Sequence, residues 1–177
     1  MKREKVFNIR YASIRNLDVT NGDGLGVALF VQGCPSPHCK GCFNPETWSF
    51  NEGKEWTKDV EKQFFELINR QYIKRISFLG GECLAKENLA DITQLAKKCK
   101  EKFPQKKIWL WSRYDFETYI SNLEIVNYLD YIVDGAYVEE LRDISLSYRG
   151  SSNQNIWKKE IDDSKQIKWS KIVCQND

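Results

Sequence analysis

The chain has 177 residues, a length that suits one compact domain with a core of ordinary size. Its 27 basic and 25 acidic residues nearly cancel, and the net charge of +2 argues against a nucleic-acid-binding or membrane-surface protein. No apolar stretch approaches the roughly 20 residues that span a bilayer, and the first five residues lack the apolar segment of a signal peptide. We therefore expect a cytoplasmic protein, in a reducing compartment, with no membrane and no nucleic-acid partner.

The first third of the chain predicts an arm, a buried strand and a helix. Residues 7–20 suit a leading strand or arm that ends in a turn-rich segment. Residues 27–32 are apolar and partly β-branched, which is typical of a buried strand, and a cysteine-rich loop follows them. Residues 46–55 are typical of an irregular segment, and Thr57 is a suitable N-cap for a helix. The apolar residues of that helix recur at helical spacing: Val60, Phe64, Leu67 and Ile68.

Strands and helices alternate with short connections in the rest of the chain. Strands are predicted at residues 75–79, 107–111 and 128–133, a helix with an apolar stripe from Leu89 to Phe103, and a short helix around residues 116–123. Cys99 lies on that apolar stripe, so we expect it in the core rather than at a site. Residues 149–155 form a polar loop, and a charged tail follows over residues 157–177. The alternation is typical of a parallel sheet built from right-handed crossovers.

Polar or metal-ligating residues follow each of the four strands of this predicted sheet. In chain order they are Cys34, the Gly-Gly-Glu segment at residues 80–82, Ser112 and Asp134. In sheets of this kind, ligands bind at the carboxyl ends of the strands, where loops and helix amino-termini meet. Each of these residues alone also fits an ordinary turn or cap. Together they predict a functional site at this edge of the sheet.

Three of the six cysteines, Cys34, Cys39 and Cys42, lie within nine residues. Thiolates favour zinc, copper(I) or iron–sulfur clusters, and a disulfide would leave one of the three unpaired. A structural zinc would need a fourth ligand, for which His38, the single histidine, and Cys83 are the candidates. A four-iron cluster on three cysteines would leave one iron open to a substrate or cofactor. The loop favours a cluster, and by itself leaves zinc open.

These residues make the chain resemble the radical S-adenosylmethionine (SAM) enzymes, and among them the activases of the anaerobic, class III ribonucleoside-triphosphate reductases. The superfamily signature is a three-cysteine loop followed by an aromatic residue, and it is matched here by Cys34, Cys39, Cys42 and Phe43. A Gly-Gly-Glu turn after the next strand is matched by Gly80, Gly81 and Glu82. The likeness extends roughly from residue 14 to residue 156.

Three further segments resemble the reductase activases in particular. Residues 21–34 resemble their entry strand, and residues 42–48 resemble the exit from their cysteine loop. Residues 149–154, Arg-Gly-Ser-Ser-Asn-Gln, resemble their closing segment, which the related activases of pyruvate formate-lyase lack. We therefore expect a single domain over residues 1–177, with a core at about residues 14–156.

The resemblance implies an α/β fold, namely a partial, open (βα) barrel of the radical SAM type with a mostly parallel sheet. A complete eightfold barrel takes about 250 residues, which is more than this chain offers. An open side would admit a loop of a large protein partner.

For function, the resemblance implies an activase that cleaves SAM reductively at a [4Fe-4S] cluster held by the three cysteines. A flavodoxin or ferredoxin would reduce the cluster, and the resulting 5′-deoxyadenosyl radical would abstract hydrogen from a glycine of the anaerobic reductase. The expected SAM contacts are Gly41, Phe43, Gly80, Gly81, Glu82, Ser112 and Asp134. Two alternatives stay open: a radical SAM enzyme that acts on another glycyl-radical enzyme or on a metabolite, and, more remotely, a zinc-binding interaction module.

The chain departs from the family pattern in three places. The first cysteine spacing has one extra residue, within a segment that contains Pro35 and Pro37. Cys83 replaces the usual proline and adds a fourth thiol near the site, and Gly26 replaces a frequent arginine. None of these changes removes a cluster ligand or the Gly-Gly-Glu turn, so we expect effects on efficiency and partner contacts. The sequence assigns no role to Cys83 or Cys174.

Overall fold

The computed structural model describes residues 4–173 and shows one eight-stranded sheet with two α-helices. The strands are β1 (Lys5–Asp18), β2 (Gly26–Val31), β3 (Lys54–Thr57), β4 (Arg75–Gly80), β5 (Lys107–Trp111), β6 (Tyr131–Asp134), β7 (Asn155–Ile161) and β8 (Ile167–Ile172). The helices are α1 (Lys58–Ile68) and α2 (Leu89–Lys102). Neither is long and apolar enough to cross a membrane, and the same holds for every other helical segment within residues 4–173.

The strand order is β3-β1-β2-β4-β5-β6-β7-β8, with β3 and β8 as unpaired edges, so the sheet formed by the described residues does not close. The central strands β2, β4, β5 and β6 run parallel, as the alternation of strands and helices predicts. The outer pairings are antiparallel. The prediction of a mostly parallel sheet is therefore correct for the centre and wrong for the flanks. Short connections such as residues 162–166 reverse the chain and so give antiparallel neighbours.

Alternate residues of the central strands face opposite sides of the sheet. One side packs with α1 and α2 in the main core, to which the strands contribute Val27, Leu29, Val31, Ile76, Phe78, Ile108, Leu110 and Ile132. The other side carries two smaller apolar clusters, built around Phe30, Leu79, Trp109, Trp111 and Val133. Both faces of the central strands are buried, which explains why their sequences read as continuous apolar runs.

The two long helices form where helical periodicity predicts them. The Thr57 hydroxyl accepts a hydrogen bond from the N–H of Val60 over 3.3 Å, so Thr57 is the N-cap of α1. Phe64 and Ile68 of this helix are fully buried, as the spacing of its apolar residues requires. Cys99 on α2 is also fully buried in the core, which confirms that it fills space there.

The short helix predicted around residues 116–123 is wrong in type, and only the end of this range is helical. The chain instead forms two 3₁₀ turns, Ile120–Asn122 and Glu124–Asn127. Before them, the Asp115 carboxylate accepts from both the N–H and the hydroxyl of Thr118, a capping bond that begins a helical turn, but the chain continues in 3₁₀ turns. The second turn delays β6, which begins at Tyr131 rather than at residue 128.

Three strands, β3, β7 and β8, lie in segments that were expected to be irregular, a loop or a charged tail. β3 begins inside the segment expected to be irregular, and it pairs with β1 around a fully buried Trp56. β7 and β8 form a hairpin within residues expected to be a charged tail. Trp157 on β7 is 6% exposed and stacks on Phe116 with 4.4 Å between ring centroids. Because this hairpin contains many charged residues, its strands show no apolar pattern by which the sequence could predict them. Cys174 lies outside the described residues.

A buried ion pair secures the loop between β1 and β2. Arg75 is fully buried, and its Nη2 lies 2.6 Å from a carboxylate oxygen of Asp18. The same guanidinium donates to the carbonyl of Gly24 over 3.0 Å and to the hydroxyl of Ser77 over 2.6 Å. A Cβ on Gly26, the cross-strand partner of Arg75, would overlap this side chain. Arg75 therefore occupies the space that a side chain at position 26 would fill.

We expect Asp18→Asn to lower the free energy of unfolding by about 3–5 kcal/mol, because it leaves the buried Arg75 charge unpaired. Burial acts to raise the pKa of the Asp18 carboxyl, but hydrogen bonds from Arg75 and Asn21 outweigh it and lower this pKa. The contribution is therefore complete at neutral pH and is lost as the pH falls through the lowered pKa. Urea denaturation at pH 7 measures the change. The control is Asp23→Asn in the same loop, where the side chain is exposed and an effect within about 0.5 kcal/mol is expected.

Candidate active site

The cysteine loop leaves the carboxyl end of β2 and is held at both ends by backbone hydrogen bonds. The N–H of Cys34 donates to the carbonyl of Trp48 over 2.9 Å, which ties the start of the loop to the segment that follows it. At the other end, the N–H of Cys42 donates to the carbonyl of Cys39 over 3.3 Å. Cys39 and Cys42 therefore share one turn, whereas Cys34 belongs to the loop entry.

A cavity of about 530 Å³ opens beside this loop at the carboxyl ends of the parallel strands. Its volume lies within the range of small-molecule sites, about 300–1,000 Å³. Eight of the ten predicted site residues line it: Cys34, Cys39, Cys42, Phe43, Gly80, Gly81, Glu82 and Ser112. The other two, Gly41 and Asp134, do not line it. The structure thus brings the residues after β2, β4 and β5 to one cavity, as the strand ends predict.

Glu82 is 2% exposed, and its carboxylate joins three parts of the cavity rim. One oxygen accepts from the N–H of Leu84 over 2.9 Å and from the hydroxyl of Ser112 over 2.8 Å. The other accepts from the N–H of Arg113 over 2.8 Å. Burial raises the pKa of the Glu82 carboxyl, and these three hydrogen bonds oppose the shift. The carboxylate of Glu82 and the hydroxyl of Ser112 are therefore engaged with each other and with the backbone.

Gly80 and Gly81 turn the chain where two backbone segments meet. Gly80 has a φ of 107°, and a Cβ at this position would lie 2.9 Å from the backbone nitrogen of Val31. A Cβ on Gly81 would overlap the carbonyl of Gly33, whose oxygen accepts the N–H of Glu82 over 2.8 Å. Because these neighbours are backbone atoms, they cannot move aside. Glycine at both positions lets the turn pack directly against the start of the cysteine loop.

The two predicted residues outside the cavity lie in its surroundings. Asp134 is 1% exposed, and its carboxylate accepts the N–H of Phe116 over 2.8 Å and the side-chain amide of Asn155 over 3.0 Å. It therefore joins the end of β6 to β7 and to the segment after β5. Gly41 faces Glu139, whose carboxylate a Cβ at position 41 would overlap.

Phe43 presents an aromatic surface at the edge of the cavity, and the residue is 57% exposed. Its ring contacts that of Tyr137, with 5.0 Å between centroids and 50° between planes. On the same ring, the guanidinium carbon of Arg142 lies 5.5 Å from the centroid. The exposed part of this supported ring is suited to packing against a planar heterocycle.

The two candidates for a fourth zinc ligand do not line the cavity. Cys83 is fully buried in the main core, where burial, followed by the nearby Glu82 charge, raises the pKa of its thiol. His38 stacks on Trp48 with 4.2 Å between ring centroids, and its Nε2 lies 3.0 Å from the carbonyl oxygen of Cys34. Cys83 is therefore enclosed by the core, and His38 is engaged by Trp48 and the backbone of Cys34.

The donor set of the cavity fits an iron–sulfur cluster. Within residues 4–173, no group of three or more histidine, cysteine, aspartate or glutamate side chains is placed to hold a single metal ion. The cysteines of a cluster bind different iron atoms, so their sulfur atoms need not converge on one point. Cys34, Cys39 and Cys42 are free, partly exposed thiols along one cavity, which is the arrangement that a cluster at its wall requires.

Two side chains that line the cavity were given no contact by the sequence predictions: Arg113, which was missed, and Gln154, which was noted only as part of the closing segment. Arg113 donates two hydrogen bonds to carbonyls of the cysteine loop. Gln154 folds the closing segment, because its side-chain oxygen accepts the N–H of Gly150 over 2.9 Å and its amide donates to the carbonyl of Gly135 over 2.8 Å. A single arginine forms no spacing pattern, so the sequence offers no signal for Arg113. The resemblance of residues 149–154 to the activases' closing segment indicates the segment of Gln154, but not its contacts.

Comparison with known proteins agrees with this geometry. A family model described as a 4Fe-4S single cluster domain matches residues 20–157. A protein of Enterobacteria phage T4 named anaerobic ribonucleoside-triphosphate reductase-activating protein is 38% identical over 149 residues, which cover 84% of this chain and 94% of the relative. The chain belongs to this family of activating proteins. Proteins of the same name from Escherichia coli K12 and Vibrio cholerae are 38% and 37% identical, over 82% and 84% of this chain and 96% and 97% of theirs.

Membership of the activating-protein family confirms the resemblance stated from the sequence. The matched residues 20–157 include the cysteine loop, the Gly-Gly-Glu turn and the closing segment. Arg15 is the one described residue of the cavity lining that falls before this match. An iron–sulfur cluster is the cofactor of the matched domain, and the cavity lies almost wholly within it.

Proposed function

We propose that this chain is an activating enzyme that uses a [4Fe-4S] cluster and SAM to generate a glycyl radical on the anaerobic ribonucleoside-triphosphate reductase. The observation that carries the proposal is the cavity itself, which three free thiols and the Gly-Gly-Glu turn line together. The name shared by the relatives supplies the target protein.

In this proposal, Cys34, Cys39 and Cys42 hold the cluster and leave one iron without a protein ligand, open to SAM. When bound, the cluster and SAM supply one-electron transfer and hydrogen-abstracting radical chemistry. The chain itself binds the cluster and SAM, orients them and shields them from solvent. No general base is required, which suits a cavity lining that contains no histidine among the described residues.

Several residues are suited to orienting SAM. Gly80 and Gly81 have no side chains, so a ligand can approach the backbone of this turn closely beside the cysteine loop. The exposed ring of Phe43 offers a stacking surface for adenine. We assign the Glu82 carboxylate and Ser112 to holding the rim in shape, since their polar atoms already bond to each other. Asp134 and Gly41 support the rim from outside the cavity.

We further propose that the unclosed sheet is the partial, open (βα) barrel of the radical SAM type. Its parallel centre carries the cavity at the carboxyl ends of the strands, and its open edges leave room for a loop of the reductase. A flavodoxin or ferredoxin is the proposed electron donor. The five free cysteines of the described residues suit a reducing cytoplasm.

Electron paramagnetic resonance tests this function. Protein prepared without oxygen and reduced with dithionite should give a four-iron signal that changes when SAM is added, since SAM would bind the open iron. Addition of the anaerobic reductase should then give a glycyl-radical signal. A silent spectrum from protein that carries one equivalent of zinc would refute the proposal.

A further inference from the structure

The cysteine loop makes few backbone hydrogen bonds within itself. Pro35 and Pro37 have no N–H, and none of the N–H groups of residues 35–41 donates to a backbone carbonyl of the described residues. The loop is also one residue longer between its first two cysteines than the radical SAM signature. Ordering such a segment costs conformational entropy that its own backbone does not offset. Contacts from elsewhere in the fold must therefore hold its shape.

Arg113 supplies such contacts from the end of β5. One of its terminal nitrogens, Nη1, donates to the carbonyl of Pro35 over 2.9 Å and to the carbonyl of Pro37 over 2.8 Å. The nitrogen carries two N–H groups, so it serves both acceptors at once. Hydrogen bonds from a charged donor are stronger than neutral ones. Arg113 thus bridges the two prolines that surround the extra length of the loop.

The Arg113 charge also lies beside the first cysteine. Nη1 of Arg113 binds the carbonyl of Pro35, the residue that follows Cys34 in the chain, over 2.9 Å. Among the described residues that line the cavity, Lys side chains are absent, and the other cationic ones are Arg15 and Arg149. Arg113 is therefore placed to compensate negative charge that a bound cluster brings to Cys34.

The position of Arg113 is itself defined by the Gly-Gly-Glu turn. Its backbone N–H donates to the buried Glu82 carboxylate over 2.8 Å, and the preceding Ser112 hydroxyl donates to the other oxygen of that carboxylate over 2.8 Å. Through these bonds the turn after β4 directs the arginine from the end of β5 toward the loop after β2. Three strand ends are thereby linked.

We propose that Arg113 is a positioning residue that holds the elongated cysteine loop in its cluster-binding shape, and that its charge raises the reduction potential of the bound cluster. The inference rests on the proposed function only in that the loop binds a cluster. It requires neither SAM nor the reductase. Neighbouring groups of this kind typically change metal affinity about 10- to 100-fold when they are replaced.

The test compares Arg113→Gln and Arg113→Lys with the wild type after anaerobic reconstitution with iron and sulfide. We expect iron to be released to a chelator about 10- to 100-fold faster from the glutamine variant than from the wild type. The midpoint potential of its cluster should also fall, because a positive charge has been removed. The lysine variant keeps the charge and several donors, so both quantities should return part of the way to wild type.

The control is Lys62→Gln on α1, which removes the same charge from a side chain that is 77% exposed. Its release rate and potential should equal those of the wild type. Equal values in the glutamine, lysine and wild-type proteins would overturn the inference about Arg113 and leave the proposed function intact. A wild type that binds no four-iron cluster would instead overturn the proposed function.

Discussion

Cys39→Ala is expected to abolish cluster binding and glycyl-radical formation, whereas Cys83→Ala should preserve both. Cys39 is a partly exposed thiol that lines the cavity, and its loss would leave two of the three proposed cluster ligands. Cys83 is fully buried in the main core and does not line the cavity. The two variants therefore remove the same functional group, one from the cavity lining and the other from the core.

Iron and sulfide content after reconstitution, together with the visible absorption of the cluster, measures the difference. Cys83→Ala should retain wild-type iron while its free energy of unfolding falls by about 1–2 kcal/mol, because a buried sulfur atom is lost. Cys39→Ala should fall to the iron content of unreconstituted protein. If Cys83→Ala lost its metal as completely as Cys39→Ala, Cys83 would be a ligand and a zinc site would gain support.

Gly80→Ala is expected to lower the free energy of unfolding by about 3 kcal/mol. Two costs combine: a φ of 107°, which side chains rarely adopt, and contact of the new Cβ with backbone atoms of Phe30 and Val31 at 2.9 Å. Since β2 leads into the cysteine loop, the displaced backbone should also weaken cluster retention. Urea denaturation of the metal-free protein and iron release from the reconstituted protein measure the two effects.

Gly135→Ala is the matched control for backbone conformation. Gly135 has a φ of 95°, but the nearest atom to a Cβ there is 3.6 Å away. This variant should therefore show only the conformational cost, about 1 kcal/mol. If the two substitutions lowered the free energy of unfolding equally, the close approach of β2 to the turn after β4 would add nothing to the cost of Gly80→Ala.

Sequence patterns correctly predicted the elements that depend on the local spacing of apolar and capping residues. The apolar run of β2 and the Thr57 cap of α1 lie where periodicity and capping place them. The elements missed depend on distant partners. β3 becomes a strand because it pairs with β1, and the charged hairpin of β7 and β8 because it extends the sheet beyond β6.

The candidate site divides in the same way. Seven residues of the cavity lining belong to two motifs, the cysteine loop with its three closely spaced thiols and the Gly-Gly-Glu turn, whose role the family resemblance implies: Cys34, Cys39, Cys42, Phe43, Gly80, Gly81 and Glu82. Ser112 was found because it follows a strand, whereas the same reasoning led to Asp134, whose carboxylate bonds outside the cavity. The position of a residue at the end of a strand predicts that it lies near the site. Whether its side chain points into the cavity depends on the hydrogen-bond donors around it.

By itself, the sequence predicted the candidate site: the cysteine loop from its three closely spaced thiols, and the role of the Gly-Gly-Glu turn from the family resemblance. It also determined the parallel centre of the sheet, through the alternation of strands and helices. Only the tertiary structure decided which contacts hold these elements in place: the Asp18–Arg75 pair, which secures the loop between β1 and β2, and the path from Glu82 through Arg113 to the cysteine loop. These contacts join residues 31 to 78 positions apart, and no local pattern specifies which distant donor meets which acceptor.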